Sequence, residues 1–309
     1  MAQTHSIRLK GPGASKEGVS AHLFRDLLDV LVEGAERALR FRIEGRSTAQ
    51  GTPPRWLRPA ADFVLLRVPE LPASQATIQA PSLLSTMPER FHQGELYADL
   101  DPNKSPIEFF EDALEDALAG NKDSDRFDAG LVRTFEKFGS VLQQGVAEVE
   151  LVNGRVLRID RGALEKVEAL ARHSFAPQRV RVAGRLEAIR YSDCRFTLLL
   201  ASGAELAGTA TELGQDLLRN LFGRAVVVTG MAVFRPSGRP LRIEADTLEL
   251  ASERDTRLWS QPPKPLLGPS PMAQIREDQR GKGGLGALLG RWPGDESDEQ
   301  VAAALESLS

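Results

Sequence analysis

The sequence predicts an α+β protein: an N-terminal β-α-β-β unit and a helical middle section, then an OB-like five-stranded β-barrel, then a flexible C-terminal tail ending in a short helix. Three observations carry this reading. Leucines recur at three- and four-residue steps after Ser20, the spacing of one helix face. Two alternating segments flank Asn153-Gly154, a strong short hairpin signal. Residues 177–251 read as β-β-β-α-β-β, the element order of an OB-fold.

The elements follow in order. Ser6–Leu9 reads as a first strand, closed by the turn-like Gly11-Pro12-Gly13. With Ser20 as N-cap, a helix carries Leu23, Phe24, Leu27, Leu28, Leu31 and Val32 toward Ala38, where RALRFRIEG turns into a strand pattern. Phe63–Val68 and Ala76–Ala80 are the next strands, with Trp56 and Phe63 expected in the core. Ser105 caps a helix over Pro106–Leu118, where proline is tolerated in the first turn. A second helix is expected from Asp128 to Gln144, with Leu131, Phe135, Phe138 and Leu142 on one face, and a further one over Gly162–His173. In the third section Gly184 and Gly230 fall inside strands, where a missing side chain permits the tight coiling of a small barrel. A split sheet packed on the middle helices is the competing architecture. The chain thus divides into an α+β domain (1–175), an OB-like barrel domain (176–251), a Pro/Gly-rich linker (252–284) and a partner-binding tail (285–309).

Composition excludes several classes. With 41% apolar residues among 309, the chain can bury a core, and a net charge of −4 gives no global basic field for nucleic acid or anionic lipid. No apolar run reaches the length of a membrane span, and the start MAQTHSIRLK lacks a signal core. A single cysteine, Cys194, precludes an internal disulfide framework and fits a reducing cytoplasm. No cofactor is expected.

Enzyme signatures do not assemble. His5, His22, His92 and His173 lack metal-ligand spacing and read as scattered surface or loop residues. No phosphate-binding loop or nucleophile elbow occurs. Glu108, Asp112 and Glu115 share a helix face that admits a divalent cation, but a solvated polar face explains them as well, and no metal site is assigned. In 177–251 ten arginines stand against eight acids. Arg181, Arg185, Arg190 and Arg195, with Tyr191 nearby, form the candidate nucleic-acid-binding set, because single-strand binders combine cations with aromatic platforms. The bland reading is an arginine-decorated outer barrel face.

The tail carries the sharpest pattern. Leu285, Leu288, Leu289 and Trp292 recur at three- and four-residue steps beside Arg291, and a Ser297-x-x-Gln300 capping box opens a helix with Val301, Leu305 and Leu308 on one face. A helix this short is marginal alone in water, which suits a segment that orders on another surface. The stretch R-W-P-G-D-E-S-D-E followed by a short helix resembles C-terminal segments of bacterial antitoxins paired with PIN-domain ribonuclease toxins. The likeness covers about 20 residues by the extent of the motif. The body is longer than the small DNA-binding head usual in such antitoxins and resembles bacterial proteins of no assigned activity. The resemblance implies a non-enzymatic protein whose tail docks on a toxin encoded nearby. Arg291 would then point toward the toxin's metal-binding carboxylates, Leu288, Leu289 and Trp292 would anchor in a groove, Val301, Leu305 and Leu308 would form the docked helix face, and Leu285 completes the partner-binding set. The alternative is an OB-fold protein that binds single-stranded nucleic acid or regulates.

Overall fold

The computed structural model describes residues 2–266 and 268, except 16–17, 50, 67–73, 92–99 and 212. Contacts divide the chain into 1–269 and 270–309, and all described residues belong to the first unit. The tail anchors named above therefore lie outside the described residues, as do His92 and most of the segment read as linker.

The element order is β1 (Gln3–Lys10), α1 (Ala21–Glu44), α2 (Leu57–Ala61), β2 (Val64–Leu66), β3 (Gln75–Ala80), α3 (Leu83–Thr86), α4 (Pro88–Phe91), α5 (Pro106–Leu118), α6 (Ala129–Glu136), α7 (Phe138–Gln143), β4 (Glu148–Asn153), β5 (Arg155–Asp160) and α8 (Arg161–Arg172). The barrel follows as β6 (Gln178–Arg190), β7 (Arg195–Leu199), β8 (Glu205–Thr209), α9 (Gln215–Leu221), β9 (Ala225–Phe234) and β10 (Pro240–Leu250), and α10 (Glu253–Trp259) closes the described chain.

The body is one antiparallel sheet in the order β2-β3-β1-β4-β5, with helices on one face. The predicted β-α-β-β unit is thus not a module by itself, because β1 pairs with β3 on one side and with β4, from the far hairpin, on the other. Alternation explains the one-sided packing: His5, Ile7 and Leu9 of β1 point into the core, while Arg8 and Lys10 point out. The hairpin turns at Gly154, whose φ of 65° suits a residue without a β-carbon.

α1 runs six residues past the predicted end at Ala38, and the strand expected there does not form. The alternation of Leu39, Phe41 and Ile43 comes from a helix enclosed on several sides by α2, α5, α6 and α7, so its apolar residues do not keep to one stripe. Ser20 holds the N-cap position without a side-chain cap bond, and Gly45 ends the helix in the left-handed conformation at φ 77°. Ser105 caps α5 as predicted, with a full capping box to Glu108.

The single helix expected from Asp128 to Gln144 is two. Asp128 stands outside as the cap of α6, accepting from the N–H groups of Gly130 and Leu131. At Lys137 the chain tightens to three-residue hydrogen bonds, Lys137 N to Thr134 O at 3.1 Å and Ser140 N to Lys137 O at 3.1 Å. That turn carries both Phe135 and Phe138 onto Phe110, with ring centroids 5.6 and 6.5 Å away. Trp56 and Phe63 are half-buried against the same core.

The barrel closes as β6-β7-β8-β10-β9, with β8 and β10 parallel and the other pairs antiparallel. This is the OB arrangement the element order predicted. Its own core includes Val182, Leu186, Phe196, Val228 and Ile243, stoppered by Leu218 and Leu221 of α9. Gly230 lies where β10 crosses so closely that a β-carbon would overlap the Glu244 carbonyl. Past Ala251, where the linker reading begins, Ser252 caps α10 through a capping box with Asp255. Arg181 of β6 holds this helix to the barrel through Asp255 at 3.2 Å.

Candidate anion-binding cleft

A helix C-terminus leaves carbonyls without intrahelical partners and carries partial negative charge. At the end of α1 two barrel arginines answer both needs. Arg195 Nη1 donates to the Arg42 carbonyl at 3.0 Å, and Arg190 Nη2 donates to the Ile43 carbonyl at 3.0 Å. Asp193 fixes Arg190 in place, accepting from its Nε at 3.0 Å. Cations at such an end stabilise by roughly 0.3–1 kcal/mol each, more when partly buried.

A second tie joins the β9–β10 loop to the chain after α5. Ser237 N donates to the Lys122 carbonyl at 3.1 Å and Ser237 Oγ to Asp123 Oδ1 at 2.6 Å. Arg235 Nε donates to the Ser124 carbonyl at 3.2 Å and its Nη1 to that of Pro240 at 2.9 Å. A third tie is buried: Arg242 of β10 reaches Asp128 at 3.3 Å, with side-chain exposures of 9% and 6%. Asp128 also accepts from the Ser47 N–H at 3.0 Å and from the Ser47 hydroxyl. Glu244 accepts from Arg242 at 2.9 Å.

Between these ties lies a cavity of about 210 Å³. Ala207, Gly208 and Thr209 of β8 line it with Phe41 and Gly45 from the end of α1, and Arg42, Arg195, Arg235 and Arg242 converge on it with one carboxylate, Asp125. Burial pushes the Arg235 guanidinium below its ordinary value, and Arg239 adds to this against the opposing pull of Asp125 and Asp123. A neighbouring cavity of about 170 Å³ shares Arg42 and adds Lys104 and Arg126, facing Asp101 and Asp112. Arg42 and Lys104 both lie over the Phe109 ring, at 5.9 and 6.0 Å from its centroid.

No family model, curated protein or solved structure matches the chain.

The five predicted nucleic-acid residues do not form one face. Arg190 and Arg195 turn inward to α1, and Arg181 is engaged by α10. Arg185 is exposed and pairs with Glu187 at 2.7 Å. Tyr191 is exposed in the turn between β6 and β7. OB-folds present oligonucleotide sites on their second and third strands and on two flanking loops. Here those strands are β7 and β8; Arg190 and Arg195, which flank the 191–194 turn, and Arg235 and Ser237 of the 235–239 loop are bonded to the body. Sequence reasoning missed Arg42, Arg235 and Arg242, whose only local signal was a cation beside an element end.

The remaining constellations are structural. Asp112 and Glu115 are bridged by Arg155, at 2.5 and 2.6 Å, Lys104 reaches Asp112 at 2.6 Å, and Glu108 belongs to the α5 cap. Among the described residues no three potential ligands gather as a metal site. His5 is not at the surface: it is 1% exposed, with Nδ1 2.9 Å from Glu111 Oε1 and Nε2 3.3 Å from Ser105 Oγ. The order Ser–His–Glu is that of a nucleophile relay. All three residues are sealed in the core, however, and the Ser105 hydroxyl accepts the Glu108 N–H. Burial pushes the Cys194 thiol up, helped by Asp193, so it stays protonated at neutral pH. No helix among the described residues is long and apolar enough to cross a membrane.

Proposed function

We propose that the chain is a non-enzymatic, antitoxin-like protein of the cytoplasm whose residues 285–309 bind and inhibit a partner toxin, a PIN-domain ribonuclease encoded nearby. The observation that carries this reading is the tail's joint pattern of spaced leucines, Arg291-Trp292 and a capped acidic amphipathic helix. Tryptophan and arginine are enriched at binding hot spots, and an amphipathic helix seated in a groove is a common recognition mode. Deleting 285–309 abolishes co-purification with the product of the adjacent gene and leaves the melting temperature of the body unchanged. Undiminished capture by the shortened chain refutes the reading.

The closed OB barrel favours a second reading, binding of single-stranded nucleic acid through outward residues such as Arg185 and Tyr191. That reading requires retention of a single-stranded oligonucleotide that strengthens as salt is lowered. No retention at low salt eliminates it.

A further inference from the structure

We propose that β2 is the edge at which two copies of this chain join, antiparallel, into one continuous sheet. A strand edge presents N–H and C=O groups in a regular order that another extended chain satisfies. Among the described residues β2 pairs with β3 alone, and Val64, Leu65 and Leu66 have no other hydrogen-bond partner. The register with β3 sets Val64 opposite Gln79, on the face away from the helices, and Leu65 opposite the core residue Ile78. Val64 is 60% exposed and Leu65 is 44% exposed, so both faces of the strand are open to a neighbour.

The two edges of the sheet differ in chemistry. β5 carries Arg155, Arg158 and Asp160 and passes directly into α8, and Arg155 turns inward to Asp112 and Glu115 of α5. Charges on an edge, inward-pointing ones among them, are a usual guard against strand addition. β2 has no such guard: its sequence is Val-Leu-Leu, without charge, proline or register shift. The strand that fits it is its own copy. In an antiparallel pairing centred on Leu65, that residue faces Leu65 of the second copy and Val64 faces Leu66 of the second copy. Every opposed pair is then apolar and no like charges meet. The pairings within this sheet are all antiparallel, so the two-fold extends the order it already has. Because the same patch is used on both copies, assembly closes at two. A strand of 3 residues is small beside the roughly 20–30 residues a side of a stable interface, so the dimer is weak and reversible.

The test is sedimentation equilibrium of the full chain from about 10 μM to about 1 mM, the range of weak association, with hydrogen exchange of the β2 amides read at both ends of it. The expected result is a reversible monomer–dimer equilibrium, with exchange at β2 slowing as the dimer forms. Val64→Lys and Leu65→Lys, both at exposed positions, each raise the dissociation constant by at least about tenfold, because a symmetric interface carries each substitution twice. Neither changes the melting temperature of the dilute protein. A chain that stays monomeric throughout the range overturns the proposal, as does a dimer that survives both substitutions. Exchange at β2 that is already slow in the dilute protein assigns the edge to another segment of the same chain and overturns it too.

Discussion

Single residues in this molecule do most when they satisfy groups far away in sequence. Asp112 is such a residue: burial pushes its carboxyl up, but hydrogen bonds and charge from Lys104 and Arg155 outweigh this and hold it below the ordinary value of 3.8. A carboxylate with a depressed folded-state pKa contributes stability that is complete above its unfolded value and is lost as pH falls through the folded one. Asp112→Asn should therefore lower stability at pH 7 by about 1 kcal/mol, a partly exposed pair being screened. The difference should shrink as pH falls through the lowered folded-state value of Asp112 and vanish in acid where the wild-type carboxyl is protonated too. Urea midpoints of both proteins across that range check it; a gap that persists in acid contradicts the ion-pair account. The same long reach explains why His5 was unreadable in the sequence. Nothing near His5 indicates that Glu111 and Ser105 will enclose it, because β1 and α5 meet only through the folded sheet.

Elements were legible wherever their signals were local. The Ser105–Pro106 helix start, the Asn153-Gly154 hairpin and the barrel's strand order each depend on residues a few positions apart, and each is present. The end of α1 is hidden in the sequence by the alternation of Leu39, Phe41 and Ile43, and the break at Lys137 by a three-residue step that continues the apolar face through a tightened turn. The opening of the linker forms α10 because Ser252 and Asp255 make a capping box, a local signal that the prolines after it obscure. The α1–α5 contact depends on Gly34, where a β-carbon would overlap the Phe110 ring. Gly34→Val should lower stability by about 1–3 kcal/mol, the usual range for overpacking. Chemical denaturation measures it, and a neutral result would mean that Phe110 can move aside within its aromatic cluster.

At the scale of the whole molecule, the barrel is turned toward its own body. Arg190 of β6 and Arg195 of β7 hold the carboxyl end of α1, and the β9–β10 loop holds residues 122–124, with a small arginine-lined cleft between these ties. This arrangement ties the barrel to the body through hydrogen bonds from two of its strands and one of its loops. It is consistent with a division of labour in which recognition of a protein partner belongs to residues 285–309, the segment whose Trp292 and Arg291 carry the resemblance to antitoxin tails. The candidate anchors were legible as a sequence pattern, whereas the cleft was not, since its arginines come from positions as distant as 42 and 242. The most direct measurement is inhibition of the neighbouring gene's ribonuclease by the full chain and by Trp292→Ala. The account predicts complete inhibition by the native chain and a loss of about 2 kcal/mol, roughly thirtyfold in affinity, for the variant. A ribonuclease left fully active by saturating native protein would contradict it.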